Sequence, residues 1–370
     1  SLFAAGMSVL DERYPGYRNA VDRFLRFDPL RPLRRRLDLR CAFPLSCHSV
    51  LFITTDQEGG TGRNVAERVR ELQRQGQVPV VLRPAEDGQS PAGGRLVGLA
   101  VPSLPEVRNL AFDLPAETDA LLDVLARFGF GRIEVHHTLN LPAEVLDIVR
   151  RLDLPYDVTV HDYSWFCPRI TMIDHTGSYC GEPALAACER CVAMNGSETG
   201  EAISVADLRL RSQRLFRSAR EVAVPSADAA ARVRRYVQDA RIVTRPHPDH
   251  ETPVSIDGFD WDGTRPFRAV LIGAIGEHKG FRILRDCVRD AAKRDLPLEF
   301  AVVGHTFDDD ALRAAGRVSI SGPYAAHEAA DLIRASRSDA ALFLSVWPET
   351  WCYALTEAWA AGLPAFGFGI

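Results

Sequence analysis

The stretch SVLFITTDQEGGTGRNVAERVRELQRQGQVPVVL, residues 49–82, decides how the rest of the chain is read. Residues 49–54 are an apolar run with the length of a buried strand. A glycine-rich turn follows at 59–62, then a helical stretch over 63–75 in which Val65, Val69 and Leu72 recur on one face, then a second strand-like run at 78–82. Strand, turn, helix and strand in that order are one winding of a parallel α/β sheet. Outward from it the same alternation continues. Strand-like runs lie at 96–100, 133–136, 158–161, 221–224 and 242–244, with helical stretches near 117–127, 142–152, 201–218 and 226–237. Short apolar strands alternating with amphipathic helices predict a mostly parallel sheet covered on both faces.

The pattern restarts after a loop at 247–265 rich in Pro, Asp and Gly. Strands are expected at 269–272, 300–303, 318–320, 341–344 and 365–368, and helices at 279–293, 325–335 and 351–361. Several of these strands run into Gly273, Gly304, Gly322 or Ser345, small residues that let a ligand come close to the backbone at a strand's C-terminal end. The expected organisation is a helical prefix at 1–47, a Rossmann-like domain at 48–246 with a Cys-rich insert at 163–200, a linker at 247–267 and a second Rossmann-like domain at 268–370. Two doubly wound domains of this kind face each other across a cleft, the default place for a site. The second series stops at Ile370, directly after a strand, so the C-terminal domain reads as truncated.

The chain's 370 residues are room for two domains at about 150 each. A formal charge of -5, from 44 basic and 49 acidic residues, gives no reason to expect nucleic acid as a partner. No run approaches the roughly 18 apolar residues of a membrane span, and Asp11, Glu12 and Arg13 interrupt the N-terminus too early for a signal peptide. A cytoplasmic protein is the expectation. Residues 31–40 carry Arg31, Arg34, Arg35, Arg36 and Arg40 against one Asp38, interleaved with leucines. That segment is either a solvated helix packed on the first domain or a peripheral contact with anionic lipid at the inner face of the cell membrane.

The sharpest chemical signal is Pro348-Glu349-Thr350-Trp351-Cys352-Tyr353-Ala354-Leu355-Thr356-Glu357. Glu349 falls in a loop after a strand and Glu357 on the following helix, a separation that serves two distant parts of one extended ligand. Carboxylates accept hydrogen bonds from vicinal hydroxyls, so a sugar and a ribose are natural partners. Trp347, Pro348, Trp351 and Tyr353 around an acidic loop point to a shaped pocket and away from a pair of solvated glutamates. Continued through Ala358-Trp359-Ala360-Ala361-Gly362-Leu363-Pro364, the segment resembles the donor-site signature of retaining glycosyltransferases of the GT-B fold, family 4, similar to bacterial surface-polysaccharide and O-antigen (lipopolysaccharide) enzymes. The resemblance covers roughly residues 48–370. It implies that Glu349 contacts hydroxyls of the transferred sugar and that Glu357 contacts the nucleotide's ribose.

Leu271-Ile272-Gly273 followed by His278-Lys279-Gly280 resembles the same family's diphosphate-binding segment, with Gly273 at the phosphates and Lys279 as the neutralising lysine. One departure is plain. Relatives carry arginine immediately after the glycine, and this chain has Ala274, so Lys279 carries more of the charge, helped by His278 or by N–H groups at a helix start. Gly322-Pro323-Tyr324 resembles the stretch that cups the donor base, which places Tyr324 beside it.

The turn from Asp56 to Asn64 is not a Walker motif, since no Gly-Lys-Ser/Thr closes it, nor a good dinucleotide fingerprint. Its glycines either direct N–H groups at an anion or simply make a tight strand-to-helix turn. The resemblance places Gly59 and Gly60 near the donor phosphate and the acceptor, with Arg63 and Asn64 continuing toward the cleft. His161, followed by Asp162, closes a strand at its ligand-facing end, and the family's comparable His implies that His161 lines the sugar pocket. His136 and His137, at the end of the preceding strand, either help bind the acceptor hydroxyl or pack in the core.

Cys167, Cys180, Cys188 and Cys191 crowd together as Cys-x12-Cys-x7-Cys-x2-Cys. Four soft ligands with one Cys-x2-Cys knuckle suit a closed, structural zinc that shapes the loop beside the cleft, with unlinked thiols, disulfides or an iron–sulfur cluster as the other readings. Asp308, Asp309 and Asp310 look like metal bait but read better as the acidic start of a helix. No catalytic metal is expected.

The chemistry implied is transfer of a sugar from a nucleoside-diphosphate-sugar to a hydroxyl of a glycan or lipid-linked oligosaccharide. The catalytic set would be Glu349, Lys279 and His161. No carboxylate is placed as a glycosidase-like nucleophile, so retention fits front-side departure and attack. A non-hydrolysing UDP-sugar epimerase-like enzyme and a non-catalytic sugar- or nucleotide-binding protein are the alternatives.

Overall fold

The computed structural model describes residues 2–27, 30–42, 49–55, 59–89, 94–104, 109–248 and 261–370. Residues 1–58 and 65–157 form one compact unit, and residues 59–64 and 158–370 form the other. Most of the expected linker, 249–260, lies outside the described residues.

The first unit opens with three helices, α1 (Leu2–Arg13), α2 (Tyr17–Phe27) and α3 (Arg31–Ala42), where a helical prefix is expected. Pro32 is tolerated because it falls in the first turn of α3, where its missing N–H has no helical partner to lose. The helix is turned unusually. Its buried Arg35 donates to the Ala111 carbonyl at 2.9 Å, pairs with Glu117 at 3.0 Å and stacks on the Phe112 ring at 3.9 Å. Asp38 accepts from Asn109. The polar face therefore packs inward, and Leu33 and Leu37 stand 58% and 62% exposed.

The strands and helices that follow are β1 (Ser49–Ile53), α4 (Gly60–Arg74), β2 (Val78–Gln89), β3 (Arg95–Ala100), β4 (Ala111–Leu114), α5 (Thr118–Leu125), β5 (Phe130–Val135), α6 (Glu144–Leu152) and β6 (Tyr156–Thr159). The sheet order is β4-β3-β2-β1-β5-β6. β1 runs parallel to β2 and β5, with Leu51 opposite Val80 and Ile133. Val65, Val69 and Leu72 of α4 pack on Val50, Phe52 and Val81 as the periodicity predicts. β3 and β4 are antiparallel at the edge of a sheet that is otherwise mostly parallel, as expected. The link from β2 to β3 is too short for a helical crossover, and only antiparallel strands can be joined that way.

In the second unit β7 (Glu221–Val224) and β8 (Ile242–Thr244) pair in parallel. Three helices accompany them: α7 (Leu185–Asn195), α8 (Val205–Ser218) and α9 (Ala227–Tyr236). The Ser204 and Ser226 side chains accept from the N–H groups of Asp207 and Ala229, fixing where α8 and α9 begin.

The remaining elements are β9 (Phe267–Ile275), α10 (Phe281–Lys293), β10 (Leu298–Thr306), α11 (Asp309–Ala315), β11 (Val318–Ile320), α12 (Ala329–Ala335), β12 (Ala340–Phe343), α13 (Tyr353–Ala360) and β13 (Ala365–Gly367). Their sheet is all parallel, in the order β11-β10-β9-β12-β13. Adjacent residues of one strand serve opposite faces: Leu271 packs with Leu284, Val288 and Leu312, while Val270 and Ile272 pack with Ile333 and Ala358. This is the doubly wound arrangement expected. Its order reverses between β9 and β12, and in such sheets ligands bind beyond the C-terminal strand ends at that reversal. The loops after β9 and β12 are therefore where a site belongs.

Candidate functional site

The loop after β9 is a short 3-10 turn, Glu277–Lys279, closed by Gly280 at φ +83°. A side chain at Gly280 would put its Cβ 2.1 Å from the Leu344 carbonyl, so only glycine permits this turn to lie against the end of β12. The Val346 N–H donates to the His278 carbonyl at 3.0 Å and ties the two loops together. Lys279 then lines a small cavity with Ser345, Glu349 and Cys352. The Ser345 hydroxyl donates to Glu349 Oε1. Burial pushes the Cys352 thiol up to about 12, and the Glu349 carboxylate adds to the effect. Burial, followed by the neighbouring Lys279 charge, lowers His278 below its ordinary value. A larger cavity of about 600 Å³ opens beside Ser345, Trp347 and Glu349 and runs to Trp359 and Phe366.

Gly273, at φ +100°, has open space where a side chain would be. Gly304 differs, although it was expected to serve a ligand in the same way. An added Cβ there would lie 2.1 Å from the Gly273 carbonyl, so its smallness serves the packing of β10 on β9. Ala274 is exposed at the end of β9. The Asp308 side chain accepts from Ala311 N and caps α11, as the reading of that acidic run as a helix start predicts.

Glu357 sits on α13 and is only 5% exposed. Its Oε1 receives Arg63 Nη1 at 3.0 Å and its Oε2 lies 3.3 Å from the Tyr324 hydroxyl. Burial, and then Glu357, raises the Tyr324 phenol well above its ordinary value, so it stays a donor. The Arg63 guanidinium lies over the Tyr353 ring at 4.3 Å. Tyr353 in turn stacks on His247 at 6.1 Å and 16°, and His247 meets His161 at 5.1 Å and Trp351 at 5.9 Å. The buried Thr350 hydroxyl donates to the His161 carbonyl. Gly60 approaches this column, since a Cβ on it would be 3.6 Å from the Tyr353 ring, while Gly59 adopts φ +90° in open space. Glu349, Lys279, Glu357, Tyr324, His161, Gly60 and Gly273 thus belong to one unit, around the ends of β9 and β12 and the start of α13.

The family described as "Glycosyl transferase 4-like domain" matches residues 59–248, about half of the chain. The chain belongs to that family.

Among solved structures, this glycosyl transferase 4-like protein is similar to one of a GtfA/B complex, at TM-score 0.53 and 11% identity, over 87% of this chain and 84% of that one. It is also similar to a glycosyltransferase from Rickettsia africae ESF-5, at TM-score 0.51 and 11% identity, over 87% and 79% of the two chains. No curated protein sequence matches. The fold is GT-B and the protein is a glycosyltransferase.

One expectation for this glycosyl transferase 4-like protein changes, zinc at Cys167, Cys180, Cys188 and Cys191: among the described residues no group of three or more His, Cys, Asp or Glu side chains is arranged to hold a metal ion. Cys188 and Cys191 lie inside α7, none of the four cysteines is in a disulfide, and two of the thiols take other partners. Cys188 Sγ receives Arg209 Nη2 at 3.2 Å and Cys191 Sγ receives Asn195 Nδ2 at 3.5 Å. The insert is pinned instead by Glu182, which accepts from Tyr179, Arg232 and Tyr236. Of the two readings of His136 and His137, core packing is the one their surroundings fit. His136 stacks on Phe52 at 5.2 Å and His137 Nδ1 accepts from Leu139 N, both buried in the first unit.

His247 is the residue the sequence reading missed, being assigned to a linker. Its signal was a histidine between Pro246 and Pro248 just beyond a strand, where the chain is stiff and the ring is held in place.

Proposed function

We propose that this protein binds a nucleoside-diphosphate-sugar at the ends of β9 and β12 and moves the sugar, with retention, to a hydroxyl of a glycan or lipid-linked oligosaccharide in bacterial surface-polysaccharide assembly. The observation that carries this reading is that Lys279 and Glu349 line one cavity, with Glu357 on the adjoining helix α13 and the Tyr324 hydroxyl against it. Breaking the anomeric bond builds negative charge on the departing diphosphate, and Lys279 together with the turn at 276–280 stabilises it. Glu349, held by the Ser345 hydroxyl, orients hydroxyls of the sugar as an acceptor of hydrogen bonds. Glu357 takes the ribose and Tyr324 lies at the base. His161, fastened through its carbonyl to Thr350, borders the sugar. Residues 268–370 are the donor-side domain and residues 48–246 the acceptor side.

The outward leucines of α3, flanked by exposed Arg36 and Arg40, support a contact with an anionic bilayer, where a lipid-linked acceptor resides. The test is incubation with a panel of nucleoside-diphosphate-sugars and soluble hydroxyl acceptors, reading product and anomeric configuration by NMR. Transfer with retention supports the reading. Donor isomerised without an acceptor would point to an epimerase, and donor bound but unchanged would point to a binding protein.

A further inference from the structure

The geometry points to the cavity of about 600 Å³ at the ends of β12 and β13 as the acceptor's subsite, shaped for a neutral glycoside that carries an apolar group. This rests on the glycosyltransfer reading above and names the class of acceptor it uses. The volume lies within the roughly 300–1,000 Å³ of ligand pockets. Four residues, Phe343, Ser345, Glu349 and Cys352, line both this cavity and the small one beside Lys279. The two spaces therefore share a wall at Glu349. A molecule in the larger one stands across that wall from the lysine that meets the diphosphate.

The lining decides the charge of the ligand. Among the described residues that line the cavity none is Lys, Arg or His, so no cation is there to receive a phosphate. Its two charged side chains are the carboxylates Asp228 and Glu349. Each has a cation of its own at hand: Arg232 Nε donates to Asp228 at 2.7 Å, and Lys279 shares the smaller cavity with Glu349. The walls therefore do not call for a cationic ligand either, and a neutral one costs least to bury. Most of the remaining wall is apolar, with Trp347, Leu355, Trp359, Phe366 and Phe368. Phe366 and Phe368 are two positions apart at the end of β13, which brings both rings to one face. They stand 54% and 53% exposed. Rings left in water around a cavity gain most from a ligand that covers them with hydrocarbon.

The orientation follows from where the polar groups lie. Glu349 and Ser345 meet at the shared wall, the hydroxyl donating to the carboxylate. A carboxylate has about four acceptor positions, so that bond leaves capacity for the hydroxyls of a ligand. Trp359 and Phe366 line the larger cavity and not the one beside Lys279. A glycoside with its hydroxyls toward Glu349 thus extends its apolar group along those two rings, away from the diphosphate. The acceptor is an amphiphile with its head at the reacting end, and its apolar group is joined to the sugar without an intervening phosphate.

The test measures binding to the full chain, without donor, of methyl, butyl and octyl β-glucosides and β-galactosides by calorimetry, each below its micelle concentration. Octyl sulfate and octyltrimethylammonium are the charged counterparts. Affinity should rise about threefold per methylene from butyl to octyl while the chain stays in the cavity. Both charged amphiphiles should bind at least about tenfold more weakly than the better octyl glycoside. Trp359→Ala and Phe366→Ser, compared where Tm and near-UV circular dichroism match wild type, should flatten the dependence on chain length. Trp359→Phe should keep most of it, and Phe366→Ser decides the matter where Trp359→Ala fails to fold. No binding of either octyl glycoside, affinity independent of chain length, or a slope unchanged in the variants would overturn the inference. Octyl sulfate bound as tightly as the glycoside would do so too, and tight octyltrimethylammonium would make this an ammonium site. In the transfer assay the octyl glycoside should exceed the methyl glycoside in kcat/KM by at least about tenfold. Transfer to soluble acceptors without that preference removes the inference alone. Octyl glycosides bound as expected, with no nucleoside-diphosphate-sugar ever turned over, would remove the transfer reading and the acceptor assignment with it.

Discussion

Glu349 and Glu357 are the same residue type eight positions apart, yet their surroundings give them different tasks. Glu357 is buried, with one oxygen on Arg63 and the other near the Tyr324 hydroxyl, so it is a rigid acceptor. Glu349 lines two cavities and is steadied by the Ser345 hydroxyl. Glu349→Gln keeps the shape but exchanges an acceptor oxygen for a donor. In a radiolabelled sugar-transfer assay it should lower kcat/KM about a hundredfold, with Tm little changed. Near-normal turnover would remove Glu349 from the proposed chemistry. The spacing of the two glutamates is visible in the sequence because it lies within one local segment. Arg63 on Glu357 is not, because it joins residues 294 positions apart.

The turn between β9 and α10 shows the same division among elements. Its pattern, a strand into Gly273 and then His278-Lys279-Gly280, is legible because strand and helix periods change there. What makes Gly280 obligatory is the Leu344 carbonyl from another loop, which no local pattern shows. Gly280→Ala must either strain a left-handed residue or push the two loops apart. We expect it to cost at least about 2 kcal/mol, seen as a Tm several degrees lower, and to weaken nucleoside-diphosphate binding because Lys279 moves. Unchanged Tm and binding would show that the turn tolerates a displaced β12 loop. Two elements escaped the sequence reading for physical reasons. β4 has four residues, too few for a period, and α7 runs through a cysteine pattern whose loop-like spacing masked its helical one.

At the scale of the whole molecule the N-terminal helices raise a question of surroundings. None of the helices among the described residues is long and apolar enough to cross a membrane. α3 nonetheless packs its buried arginine against Glu117 and Phe112 and presents Leu33 and Leu37 outward, beside Arg36 and Arg40. We predict co-sedimentation with vesicles containing phosphatidylglycerol and weak association with pure phosphatidylcholine. Leu33→Glu/Leu37→Glu should abolish the difference while soluble-acceptor turnover persists. Equal binding to both vesicles, or to neither, would exclude an anionic bilayer as the partner. The interleaved leucines and arginines announced a helix at 31–40, but which face turns inward depended on Glu117, some 80 residues away. The same holds throughout. Alternation of apolar strands and amphipathic helices reports local periodicity, so the doubly wound class and the spacing of Glu349 and Glu357 could be read from the amino acids alone. Which thiols find other partners, which glycine is forced, and which arginine answers a buried carboxylate depend on chain segments meeting at a distance, and only the folded arrangement supplies those meetings.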